Sequence, residues 1–188
     1  MSYYNDNAQD FFNGTISVDM SPLYREFLPL LPEKSRILDV GCGSGRDSKA
    51  FKDTGYDVYA IEPSSNLAQL AERVIGDTVE VTTIQKFHPG FNFDAIWACA
   101  SLLHIPMAEL RGTFCHLSEI LKKRGIIYCS FKYGDKETLR GKRKFTDLNE
   151  ALLVEILPPP LSIYKTWVTF DIRPDRKEQW LNALLIKD

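Results

Sequence analysis

The chain predicts an α/β fold with a mostly parallel sheet, and three observations carry that expectation. Apolar strand-like runs alternate with amphipathic stretches from about residue 35 to 131, the order that builds parallel strands joined by helices. One apolar run, Ile37-Leu38-Asp39-Val40, ends in glycines at alternate positions, Gly41, Gly43 and Gly45, before a helical stretch. After residue 145 the pattern changes to a short helix and two long strand-like runs at the end of the chain.

The glycine loop defines the first elements. It describes a buried strand, a tight turn without side chains and a helix start, a place where backbone can approach a ligand closely. A nucleoside-containing cofactor suits it. The following helix stops at Gly55, and the next runs from about Asn66 to Ile75 before Gly76; both glycines suit left-handed caps. A second strand, Val58-Tyr59-Ala60-Ile61, ends in Glu62-Pro63-Ser64. A carboxylate at that tip can accept both hydroxyls of a ribose, or it can cap the next helix.

A third strand is expected over Thr78–Ile84 and a fourth over 93–100. The helix after His104 is expected to end in Lys122-Lys123-Arg124, cations that suit its negative end. A fifth strand, Ile126 to Phe131, follows. Phe145–Leu157 reads as a helix halted by three prolines, and Leu161–Ile172 and Glu178–Ile186 as strands joined by Arg173-Pro174-Asp175-Arg176.

The spacing Gly41-x-Gly43-x-Gly45, with Asp39 at the strand end, differs from the dinucleotide pattern G-x-G-x-x-G. It resembles the (D/E)-x-G-x-G-x-G signature of class I S-adenosylmethionine-dependent methyltransferases. Glu62, the block Phe93 to Pro106 with its Leu103-His104 pair, and Ile120 to Phe131 resemble later blocks of that family in the same order. The resemblance spans roughly residues 35 to 131. It implies a Rossmann-like seven-stranded sheet, mostly parallel, with helices on both faces and a C-terminal antiparallel hairpin. Arg46-Asp47 is similar to the G-x-G-R-(D/N) variants of tellurite-resistance-type enzymes.

The implied cofactor is S-adenosylmethionine, with S-adenosylhomocysteine as product. The cofactor-binding candidates are Asp39, Gly41, Cys42, Gly43, Gly45, Arg46, Asp47, Glu62, Pro63, Gln85 and Ala100. Asp39 is expected to attract the cofactor's ammonium, and the amides of Gly41 to Gly45 to approach its methionine part and ribose. Arg46 is expected either near the cofactor carboxylate or in a surface salt bridge, and Asp47 to cap the helix that follows. The family often reads adenine with an acid after the third strand, but Thr83-Ile84-Gln85-Lys86 has none, which leaves Gln85 and nearby amides. His104 is the catalytic candidate, since an imidazole titrates near neutrality and lies at the ligand-binding edge of such sheets; a loop-shaping histidine is the alternative.

Before the glycine loop, Tyr4, Ala8, Phe11, Phe12 and Thr15 recur at helical spacing, and Met20 to Leu28 suggests a second helix. This segment reads as a lid, with Tyr4, Phe12 and Met20 facing an acceptor, or as a plain cover for the sheet. The run Lys132 to Lys144 carries six basic residues, Arg140 among them as a substrate candidate. It reads as an anion site or, more often, a solvated mobile loop.

Length and composition bound the rest. The chain has 188 residues, 44% of them apolar and 26% charged, with a net charge of -2. This suits one globular domain, 1–188, comprising a lid over 1–34, a cofactor core over 35–131, and a substrate-side loop and hairpin over 132–188. The charge argues against a nucleic-acid binder, and the motifs of DNA-amino, cytosine-C5 and protein-arginine methyltransferases are missing. A small-molecule acceptor is expected; an RNA acceptor, a non-catalytic regulator and a nicotinamide oxidoreductase are the rivals. The four cysteines and three histidines lack metal or disulfide spacing, so no metal is expected. No signal-like or membrane-spanning run is read, which points to the cytoplasm, as a monomer or homodimer.

Overall fold

The computed structural model describes residues 2–141, 143–173 and 176–188. The chain begins with three short helices, α1 (Ser2–Asp6), α2 (Ala8–Asn13) and α3 (Ser21–Phe27). Strand β1 (Arg36–Val40), α4 (Arg46–Asp53), β2 (Asp57–Ile61), α5 (Ser65–Ile75) and β3 (Val79–Glu80) follow. Next come β4 (Phe93–Ala98), α6 (Met107–Ile120), β5 (Leu121–Lys132), a hairpin of β6 (Glu137–Arg140) and β7 (Arg143–Thr146), and α7 (Glu150–Ile156). Strands β8 (Leu161–Phe170) and β9 (Gln179–Lys187) complete the order.

Seven strands form one sheet in the order β3-β2-β1-β4-β5-β9-β8. The first five are mutually parallel, while β9 runs antiparallel to both β5 and β8. The expected architecture is therefore present, terminal hairpin included. Parallel strands buried on both faces need continuous apolar side chains. β1 meets this with Ile37, Leu38 and Val40, and β4 with Ala95, Ile96 and Trp97, all buried.

The sheet separates two cores. One face carries Leu38, Ile96, Phe114, Leu117 and Phe131 beneath α6 and α7. The other carries Phe27, Phe51, Trp97 and Tyr128, with Trp97 and Tyr128 stacked at 4.0 Å between ring centroids. The terminal hairpin gives Trp167 a place in the second core and Trp180 one beside the first, whereas Phe170 remains 67% exposed.

Five local expectations are corrected. The third strand is two residues long, because β2 ends at Ile61 opposite Glu80 and leaves nothing beyond to pair; Ile84–Lys86 is instead a 3-10 turn. Helix α6 ends at Ile120, since Leu121 is buried and pairs with Phe93. Lys122 to Arg124 consequently lie in a bulge of β5, with Arg124 at φ 62°, rather than at a helix end. Phe145 and Thr146 belong to β7, and α7 starts only after Asn149, whose side chain accepts from the Leu152 amide. The helix expected across Tyr4 to Thr15 is broken at Asn7 (φ -117°, ψ 24°). The basic run is a β-hairpin rather than a solvated loop, with Lys142 outside the described residues. The linker Arg173 to Arg176 lies partly outside them as well, at Pro174 and Asp175.

Gly45 shows why the loop is built of glycine. It sits at φ 79°, and a Cβ there would lie 3.0 Å from the Ala71 carbonyl oxygen and the Ile75 Cγ1 of α5. Gly45→Ala is expected to destabilise the fold by about 1–3 kcal/mol, from left-handed strain and overpacking together. Urea denaturation of the variant against wild type measures it.

Candidate functional site

All five parallel strands direct their carboxyl ends to one edge, where open α/β sheets place ligands. The loops after them supply Gly41 to Ser44, Glu62 to Ser64, Thr82 to Gln85, Ala100 to His104, and Lys132. They surround a cavity with two lobes of about 340 and 250 Å³. Tyr4, Phe11, Gly41, Gly43, Ala100, His104 and Arg143 line both lobes and form the seam between them.

In the first lobe, Glu62 is the buried carboxylate at the tip of β2. Its two oxygens accept from the Gly43 amide (3.1 Å) and the Ser64 amide (2.9 Å), which fixes the side chain and leaves each oxygen further acceptor capacity. Burial pushes its pKa up, and the two amide hydrogen bonds oppose that. It does not cap α5; Ser64 does, accepting from the Leu67 amide. Pro63, Ile61, Ile84 and an exposed Gln85 line the same lobe. Ser101 lines it too, with a buried hydroxyl that has no partner among the described residues.

The glycine loop differs in detail from expectation. The amides of Gly41 and Cys42 donate to the Ile61 carbonyl, Gly43 to Glu62 and Gly45 to Cys42. Those amides are engaged, so the loop offers a ligand chiefly the bare Cα surface of Gly41 and Gly43. Gly45 lines neither lobe and packs against α5, while Cys42 is buried beside the second lobe.

Asp47 does not cap α4. It accepts from Tyr24 Oη (2.5 Å), Trp97 Nε1 (2.8 Å) and, bidentately, Arg46 Nε and Nη2 (2.6 and 3.0 Å). Burial alone would raise its pKa; the Arg46 ion pair and the Tyr24 and Trp97 hydrogen bonds overcome that and hold it below the usual value. Arg46 is accordingly an internal partner rather than a surface one, and its Nη1 also holds the Thr15 carbonyl at 3.2 Å. Asp39 is buried behind the loop, lines neither lobe and accepts from Ser48 Oγ at 2.6 Å. Burial and the charge of Asp47 push its pKa upward.

His104 stands at the seam. A carbonyl can only accept, so Nδ1 donates to Lys144 O (2.9 Å), and Nε2 accepts the Tyr4 hydroxyl proton (2.7 Å). Burial depresses its pKa, and the nearby Arg143 charge lowers it further. Tyr4 in turn accepts from Arg143 Nη1 at 3.4 Å. Its helix is pinned by Asn5, whose Oδ1 accepts from Ser64 Oγ (2.7 Å) and the Asn66 amide. In the N-terminal segment, α1 and α2 contribute Tyr4 and Phe11 to the cavity wall, while α3 packs against the sheet through Tyr24 and Phe27.

Tyr4 and Met20 line the cavity as expected, but Phe12 and Arg140 do not. Phe11 faces it instead: it follows Tyr4 by about two helical turns, so the two share a face, with their ring centroids 5.2 Å apart. Arg140 turns away to Asp147 (2.9 Å) and its hairpin neighbour Arg143 takes the position. Ser101 and Lys132 also line the cavity; strand-end position was the signal for both. Among the described residues no group of three His, Cys, Asp or Glu side chains could hold a metal, and no helix is long and apolar enough to cross a membrane.

Strand order, hairpin and cavity together define a methyltransferase-type α/β protein. The profile of a methyltransferase domain family matches residues 12–147, and the chain belongs to that family. The putative methyltransferase YqeM of Bacillus subtilis is 29% identical over 116 residues, which are 56% of this chain and 47% of that protein. The chain thus matches about half the length of that relative. An uncharacterized methyltransferase of Anoxybacillus flavithermus is 26% identical, with 79% of this chain and 71% of that protein covered. Among solved structures, a 1,6-didemethyltoxoflavin-N1-methyltransferase of Burkholderia thailandensis, holding its substrate and S-adenosylhomocysteine, has a similar fold. Its TM-score is 0.77 at 20% identity, covering 99% of this chain and 84% of that one. S-adenosylmethionine is the cofactor this family membership brings, and the first lobe fits it: a fixed carboxylate, an unpartnered hydroxyl and two glycines without side chains.

Asp47→Ala leaves the buried Arg46 charge without its counter-ion and the Tyr24 and Trp97 donors without an acceptor. The variant is expected to lose about 3–5 kcal/mol of stability, the usual result of removing one partner of a buried pair. Guanidinium denaturation followed by tryptophan fluorescence reads it.

Proposed function

We propose that this protein transfers the methyl group of S-adenosylmethionine to a small-molecule acceptor. The observation that carries this reading is Glu62, fixed by two amides with acceptor capacity to spare, at the head of a cavity that continues past the glycine loop into a second lobe. When bound, the cofactor supplies a methyl group on a sulfonium, already a good electrophile. The chain's task is therefore alignment and exclusion of water, worth on the order of 7–11 kcal/mol when reactants are well oriented.

In this reading Glu62 takes the ribose hydroxyls and Ser101 a further polar group. Pro63, Ile61 and Ile84 sandwich the adenine, with Gln85 at its edge. Gly41, Gly43, Cys42 and Ala100 shape the path of the methionine part. Asp39, bonded to Ser48 behind the loop, supports the strand end, and Arg46 with Asp47 holds the loop in place. His104 receives the acceptor's proton through Tyr4: Tyr4 Oη accepts it while passing its own proton to Nε2, and the Lys144 carbonyl steadies the resulting imidazolium. The second lobe holds the acceptor. Its size supports a small molecule, as does the toxoflavin-type substrate of the Burkholderia neighbour.

Calorimetric titration with S-adenosylmethionine, with NADH as control, tests the cofactor; binding of NADH alone would overturn the reading. Glu62→Ala is expected to weaken cofactor binding at least tenfold, because each hydrogen bond to a charged group contributes about 1.5–3 kcal/mol. His104 is expected to titrate below its usual pKa in NMR. It stays neutral, and able to take a proton, at and above the pH where a free imidazole titrates. Tyr4→Phe should lower kcat roughly 10²-fold, the lower range for general acid–base help. An unchanged kcat would remove the relay.

A further inference from the structure

We propose that the methyl acceptor is an organic anion: a planar apolar body bearing a carboxylate that pairs with Arg143 at the seam of the two lobes. This rests on the methyltransferase reading and narrows it to a substrate class.

Charge pairing in the second lobe singles out Arg143. Arg46 is paired with Asp47, Lys132 with Glu178 (2.9 Å) and Arg173 with Asp171 (2.6 Å). Asp19 and Arg176 are exposed at the rim, where water screens them. Arg143 is half-buried, lines both lobes and has no carboxylate within 4.0 Å among the described residues. A guanidinium carries five N–H donors in a fixed fork, and the protein hydrogen bond described for this one is the long contact to Tyr4 Oη at 3.4 Å.

Its surroundings sharpen the demand. The guanidinium lies 4.6 Å from the Tyr3 ring centroid and 5.1 Å from that of Phe145. Aromatic rings shield its faces from water and leave its edge to donate, the arrangement that favours bidentate grip of a carboxylate. Lys132 Nζ, 5.2 Å from the Phe145 centroid on the same wall, is balanced by Glu178, which leaves the Arg143 charge without a counter-ion among the described residues. A bound sulfonium would add one more positive charge beside it. A neutral acceptor would leave that charge standing in a cavity shielded by aromatic walls; an anion offsets it. Phe11, Phe145 and Trp180 supply apolar surface for a planar body.

The test uses the whole protein loaded with S-adenosylhomocysteine and two probes of equal shape, 2-naphthoate and 2-naphthamide, titrated by calorimetry. The expected result is naphthoate binding at least tenfold tighter than naphthamide. Arg143→Gln should bring the two within threefold while S-adenosylhomocysteine affinity stays within threefold of wild type, and Arg143→Lys should restore part of the preference. Equal binding of the probes, binding of neither, or a preference that survives in Arg143→Gln would overturn the proposal. So would a tenfold loss of S-adenosylhomocysteine affinity in Arg143→Gln with the preference intact, which would give the arginine to the cofactor's carboxylate. Failure of wild type to bind S-adenosylhomocysteine at all would instead remove the methyltransferase reading beneath it.

Discussion

The site depends on one buried carboxylate. Asp47 gathers the hydroxyl of Tyr24 from α3, the indole of Trp97 from β4 and the guanidinium of Arg46 at the start of α4. Three segments far apart in sequence are thereby fixed to the loop that floors the cavity. A buried charge is tolerated only when its acceptor capacity is filled with good geometry, and here the donors that fill it are the parts that need positioning. Arg46 extends the network to the Thr15 carbonyl, so the chain between α2 and α3 is held by the same charge.

A second tier rests on the first. The aromatic core of Phe27, Phe51, Trp97 and Tyr128 seats α3 against the sheet, while α1 and α2 arch over the carboxyl edge of the strands. Asn5 ties α1 to the cap of α5 next to Glu62, and Tyr4 ties it to His104 and Arg143 on the other side. The helix of five residues is far too short to be stable alone. Its order comes from bridging both walls of the cavity.

The sheet and its glycine loop were legible because their signals are local. An apolar run, alternate glycines and a strand-end acid each occupy a few consecutive residues, and Glu62 and Ala100 could be placed on the cavity wall from them. What sequence could not supply was decided by distant partners. Asp47 looks like a helix cap until Tyr24 and Trp97 arrive from other elements. Arg140 and Arg143 are equivalent in a basic run, and only Asp147 draws one of them away. Phe11 was legible by contrast, since it follows Tyr4 by about two helical turns and so shares its face, which Phe12 does not.

The terminal hairpin has a consequence for how the chain is completed. Strand β9 follows β8 in the chain yet enters between β5 and β8, so the sheet is not finished by adding strands outward in order. The cavity's closing contacts are similarly remote: Tyr4 meets His104 across 100 positions and Arg143 across 139. Loop closure over such spans comes late, after local structure has formed. A chain made only through its glycine-loop half therefore has α1 tied to Ser64 and Asn66 by Asn5, while the opposite wall that Tyr4 meets is still absent. Competence to enclose a ligand arrives only when both walls are in place, as a property of the packed domain and not of its motif.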